Sequence, residues 1–334
     1  MTLKNYCNDE LPFIIPIMLK IVVLSLCVIL FCSTVWAQPS KVYLVKGSER
    51  QDLLERLFAA IELPDLAGKI VAIKPNFNSN DPYPATTHLH TLEFVIKKIQ
   101  EKKPASITIF ERSGMGDTDE VLEARGVKAL AAKYGVMLIN LDKLPTDGWH
   151  HIKGKGLHWN FGFLVPKELV RSDYVINICC LKTHRFGGDF TLSLKNNVGS
   201  VAKWKPGAPP YNYMWELHAS PSQRIMIAEI NKYIPCHLVI MDAMQGFSDQ
   251  GPEKGHLIEP GLVLASADRV AIDAVGVSLL RSYGTTAKVS RGAVFAQEQL
   301  QHAAALGIGA QSEKDIKLVP LDDGANQVVK TLKF

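Results

Sequence analysis

The chain lacks most of the short signatures that announce a chemistry. It has no C-x-x-C pair, which removes the iron–sulfur and zinc-ribbon patterns. It has no G-x-S-x-G elbow, which disfavours a serine hydrolase. No H-E-x-x-H occurs: His88 and His90 are two apart, His150 and His151 are adjacent, and neither spacing matches a zinc pair. A Walker loop and a full dinucleotide fingerprint are also missing. Charge is balanced at a net +4, and pairs such as Lys153 and Lys155 or Lys203 and Lys205 are too sparse for a nucleic-acid footprint. Nucleic acid is therefore not an expected partner.

Cysteine is scarce. Of six, Cys7, Cys27 and Cys32 precede residue 38, leaving Cys179, Cys180 and Cys236. A disulfide from Cys236 to one of the vicinal pair and three buried free thiols both fit this pattern. Redox or metal handling through these thiols stands as a second alternative function.

What is present starts with an apolar run from Phe13 to Trp36, broken chiefly by Lys20. Val35-Trp36-Ala37 offers small residues where a signal peptidase reads, and Met18-Leu19-Lys20 begins a compact leader of its own. The expectation is a signal peptide over 1–37, with Met18 a candidate true start. Cleavage near Ala37 would export the protein to the periplasm or medium, with membrane contact only through the leader. An uncleaved anchor is the competing reading, disfavoured by the missing basic stop-transfer cluster.

The whole 334-residue chain is 47% hydrophobic and 21% charged, an ordinary globular composition. Strand-like runs alternate with segments of helical spacing. Strands are expected at Lys41–Lys46, Lys69–Lys74, Ser106–Phe110, Val136–Leu141, Asp173–Cys179, His237–Met241, Leu262–Ala265 and Ile316–Val319. Helices are expected over Gln51–Ile61, from a Thr86 or Thr87 cap to about Lys102, over Asp119–Tyr134 with a break near Gly126, over Asp268–Tyr283 and over Arg291–Leu306. That rhythm predicts one α/β domain over 41–325, a doubly wound, largely parallel sheet with helices on both faces. The segment Pro206–Ser222 reads as an ordered aromatic and Pro-rich loop, a candidate lid.

Polar clusters follow the strands, where open α/β sheets hold their ligands. Lys74-Pro75-Asn76 ends one. Glu111–Asp117 follows another, with Ser113, Gly114 and Gly116. Lys182-Thr183-His184 follows a third and is echoed by Lys195-Asn196-Asn197. Asp242 ends a fourth, with Asp249 and Gly251-Pro252 beyond. Lysines at strand ends suit phosphate or carboxylate, His suits proton transfer, and carboxylates suit a divalent metal. Asp268 reads as a helix cap and Asp273 as a structural partner.

The motifs recur in a familiar order. KPN, the Ser113-Gly114 loop, Lys182-Thr183-His184, TLSLKNNVG from Thr191, Asp242-Ala243, Gly251-Pro252 and ADRVAIDAVG from Ala267 resemble the domain-of-unknown-function 362 family over about Ile70–Leu280. The resemblance implies a fold and a site more than a reaction. Some members carry a ferredoxin-like four-cysteine module, which this chain lacks, so no iron–sulfur cluster is expected. Many relatives have Pro before Lys-Thr-His, where this chain has Cys179-Cys180.

The resulting expectation is a cleft for a small anionic molecule, with metal-assisted enzymatic chemistry as one reading of it. His184 and Asp242 are the catalytic candidates. Lys74, Asn76, Ser113, Gly114, Lys182, Thr183, Lys195 and Asn196 are the ligand-binding candidates, and Asp242 and Asp249 the metal candidates. A non-catalytic binding module is the first alternative.

Overall fold

Among the described residues of the computed structural model twelve strands form: β1 (Ser40–Lys46), β2 (Ile70–Lys74), β3 (Ser106–Glu111), β4 (Met137–Asn140), β5 (Trp149–Ile152), β6 (Phe163–Pro166), β7 (Tyr174–His184), β8 (Asp189–Thr191), β9 (Leu238–Asp249), β10 (His256–Ile258), β11 (Leu262–Ser266) and β12 (Ile316–Pro320). The structure describes residues 38–207 and 209–334, so the leader and its processing site lie outside the described residues. Residues Pro39–Phe334 make one compact unit.

Ten strands share one sheet. Its path is β12-β1-β11-β9-β7-β2-β3-β4, with β10 on β9 and β8 on β7. Pairings β9-β7, β7-β2, β2-β3, β3-β4 and β1-β12 are parallel. Strand β11 runs antiparallel to both neighbours. The sheet is thus mixed and mostly parallel, an α/β fold. Strands β5 and β6 form a separate hairpin.

Strand alternation builds two cores. On β7, Val175, Cys179 and Leu181 join one apolar cluster with residues of the helices Arg269–Ser282, Gln223–Asn231 and Glu298–Ala305. Tyr174, Ile176 and Ile178 join the other, with the helices Arg50–Ala60, Leu89–Gln100, Thr118–Ala124 and Val127–Tyr134. Helices therefore cover both faces, which is why every residue of β7 is buried.

Four local expectations need correction. Strand β7 does not stop at Cys179 but continues through Lys182-Thr183-His184, because β8 folds back and pairs with those three residues. Strand β9 runs past Asp242 to Asp249, so Asp242 lies mid-strand. The helix expected from Thr86 or Thr87 starts at Leu89 with His88 as its cap; Thr87 instead accepts from the Asn76 amide. The Pro206–Ser222 loop contains a helix, Tyr213–Ala219, started by the Asn212 side chain. The expected break near Gly126 is present, with that glycine in the left-handed region.

Candidate functional site

Parallel strands β2 and β3 end side by side, β7 runs on past them to His184, and the residues at these ends line one cavity of about 90 Å³. Lys74, at the end of β2, and Glu111, at the end of β3, form a buried ion pair of 2.6 Å. Glu111 also accepts the backbone amides of Phe77 and Arg112 at 2.8 Å each. Burial lowers the Lys74 pKa, and Glu111 opposes that shift.

Lys182, on the extended part of β7, is fully buried and donates to Asn76 Oδ1 at 2.7 Å and to the Ala85 carbonyl. Its partners are neutral, and burial lowers its pKa. Arg112 donates to the carbonyls of Val201 and Val198 and to Met214 Sδ, which ties the site to the helix Tyr213–Ala219.

Lys195 lies in the short helix Ser193–Asn196, whose start is fixed by Asp273. Asp273 accepts from Ser193 N, Ser193 Oγ and Leu194 N, the structural role its sequence context suggests. The Lys195 stem lies against Gly188: a Cβ there would stand 2.4 Å from Lys195 Cε. No carboxylate pairs with Lys195 among the described residues. Burial first, then Arg112 and Lys182, lowers its pKa to about 7.

His184 closes the group. Burial pushes its pKa well below the usual histidine value, and Lys195, His218, Lys182 and Arg185 push the same way. Its imidazole is therefore neutral at pH 7. The buried atoms His184 Nδ1, Thr191 Oγ1 and Asn196 Oδ1 have no hydrogen-bond partner among the described residues, and all three side chains line the cavity.

The structure thus brings Lys74, Asn76, Gly114, Lys182, His184, Lys195 and Asn196 to one cavity. Ser113 and Thr183 support it from behind. Ser113 Oγ donates to the Asn78 carbonyl at 2.6 Å. Thr183 Oγ1 donates to the Phe247 carbonyl and accepts the Gly251 amide, holding the Gly251–Pro252 turn at the rim. At Gly114 a Cβ would stand 2.3 Å from Asn78 Oδ1, so a side chain there would displace the Asn78 amide oxygen that accepts the Gly114 N–H at 3.2 Å.

Asp242 is the main correction. Its carboxylate is fully buried and committed to Arg50 at 3.0 Å, Tyr83 at 2.6 Å and Thr91 at 2.6 Å. It pairs in register with Cys180, four residues before His184, and no carboxylate hydrogen-bonds the imidazole among the described residues. It neither orients His184 nor lines the cavity. Asp242 and Asp249 lie along the same strand at roughly 3.3 Å per residue, too far apart to share a metal.

Of the two options for the thiols the structure has the free one: Cys179 and Cys180 are buried, Cys236 is half-buried, and none is in a disulfide. Burial pushes Cys180 up to about 12 and raises the other two, the opposite of a reactive thiolate setting.

Glu111, Arg112, Thr191, Met214 and His218 were missed as site residues. The signal for Glu111 is legible in hindsight: a lysine and a carboxylate end consecutive apolar strands, and parallel pairing sets them side by side. Met214 and His218 reach the cavity only through the helix in the aromatic segment. Glu216 of that helix turns elsewhere, accepting the Asn160 amide.

The sequence profile of a domain of unknown function, DUF362, matches residues 71–278. The chain belongs to the DUF362 family. That span contains β2 through most of the helix Arg269–Ser282, and with them every cavity residue named above. A thylakoid-associated protein of Synechocystis sp. is 29% identical to this DUF362 chain over 181 residues, 50% of either protein, so the chain spans about half the length of that relative. Among solved structures, the lactate racemase apoprotein of Thermoanaerobacterium thermosaccharolyticum is similar at a TM-score of 0.43 and 16% identity. That likeness covers 71% of this chain and 57% of the other.

Proposed function

We propose that the cavity binds the phosphate or carboxylate group of a small molecule, with His184 as the proton-transferring group. The observation that carries this reading is Lys195, a buried ammonium with no carboxylate partner, sharing its cavity with Lys182 and Arg112. Lys74 is neutralised by Glu111, so the remaining charge at the site is positive. Burying unpaired cations is costly, and an anion offsets that cost. The unpaired atoms of His184, Thr191 and Asn196 supply polar contacts for the same guest. At about 90 Å³ the cavity is well below the roughly 300–1,000 Å³ of drug-sized sites, so it suits one anionic head group.

A neutral imidazole among cations is a proton acceptor whose basicity rises when an anion enters, since the anion compensates its neighbours. This supports catalysis over passive binding. Isothermal titration with inorganic phosphate and with small phosphorylated and carboxylated metabolites tests the reading. Binding by wild type that is lost in Lys195→Met supports it; no binding, or binding unchanged in that variant, rejects it. A bound ligand recovered unaltered after long incubation assigns the cleft to binding alone. Export belongs to the same proposal and rests on the sequence of Phe13–Ala37; an N-terminus of the secreted protein beginning near Gln38 is its test.

A further inference from the structure

A second polar cluster lies outside the cavity, where the segment before β6 crosses two packed helices. His158 comes from that segment, Glu229 from the helix Gln223–Asn231 and His302 from the helix Glu298–Ala305. One ligand atom from each lies within 4.8 Å of the others. The Glu229 side chain is 2% exposed, yet no Lys or Arg pairs with it among the described residues; its one ionic partner is His158, at 2.6 Å. The nearby Arg224 is spent on Glu298 at 2.7 Å and Asp189 at 3.5 Å. The His302 side chain makes no hydrogen bond among the described residues, and its ring stands 6.0 Å from that of His158 at 90°.

We propose that His158, Glu229 and His302 form a zinc site. Two imidazoles and one carboxylate are a donor set that zinc favours, and three protein ligands leave a fourth position for water. Tetrahedral bonds of about 2.0–2.1 Å put ligand atoms roughly 3.3 Å apart. The His158–Glu229 contact must therefore open slightly while His302 closes, which side-chain rotation provides because His158 is 40% exposed. The metal supplies the positive charge that the buried carboxylate lacks, and it ties the 158 segment to both helices. A bare loop anchor needs only the bonds that Glu229 already makes to the His158 amide, 3.1 Å from each oxygen, and leaves His302 without a task.

The test uses the full chain, stripped with EDTA, with Zn²⁺ alone as the probe in calorimetry and elemental analysis. One equivalent should bind and raise Tm. His302→Gln and Glu229→Gln should each weaken binding about tenfold or more, since losing even an outer-shell partner costs that much. Without zinc, His302→Gln should melt like wild type, because the Glu229–His158 contacts remain. Absence of stoichiometric uptake overturns the site. Uptake of equal affinity in both variants also overturns it, and assigns the metal to exposed imidazoles such as His150 and His256.

Discussion

Replacing Lys195 by Met should stabilise the free protein while removing its anion site. The unfolded lysine keeps its proton to about pH 10.5, whereas folded Lys195 sheds it near pH 7. Between those values the unfolded state holds more protons, so the wild type gains stability as pH rises. At pH 7 the gap corresponds to a cost on the order of 4 kcal/mol borne by the folded wild type. Met keeps the aliphatic stem beside Gly188 and removes the ionisable group. Urea unfolding in a phosphate-free buffer should show the variant more stable at pH 6, by up to about 4 kcal/mol, with the difference shrinking by roughly 1.4 kcal/mol per pH unit above pH 7. Phosphate should then stabilise wild type and leave the variant unmoved. A variant less stable at pH 6, or a difference that does not change with pH, would refute the uncompensated charge at this site.

Anion affinity of the wild type should fall as pH rises above about 7, because the bound state requires the Lys195 proton; calorimetry in buffers of different ionisation enthalpy should register proton uptake on binding. Gly188→Ala should displace the Lys195 stem and weaken anion binding about tenfold, roughly 1.4 kcal/mol, with an unchanged circular dichroism spectrum. Asp242→Asn should cost about 3 kcal/mol of stability by leaving Arg50 without its carboxylate, yet the anion affinity of the folded fraction should stay at the wild-type value. A loss of affinity larger than the loss of folding in that variant would return Asp242 to the site.

Strand positions and their alternation with helices were legible because covered parallel strands must be apolar, as at Ile70–Lys74 and Tyr174–Ile178. The convergence of Lys74, Lys182 and Lys195 was also legible, because ligand groups in such sheets collect at strand ends. Two features escaped. The β7 extension through His184 depends on pairing with β8 and β9, and pairing is a contact between segments rather than a property of either. The commitment of Asp242 depends on Arg50, Tyr83 and Thr91, which come from three distant stretches. In sequence, a carboxylate after an apolar strand looks the same whether it meets a ligand or an arginine.

The amino-acid order alone determined the α/β class, the two-sided burial of the sheet and the set of lysines and amides at its carboxyl edge, because local spacing and hydrophobic content dictate which elements form. Tertiary structure decided which charges are neutralised. Glu111 cancels Lys74, Arg50 cancels Asp242, and Lys195 and Glu229 are left over. Electrostatic balance in a buried setting is fixed by distances of a few ångströms between residues that the chain keeps far apart.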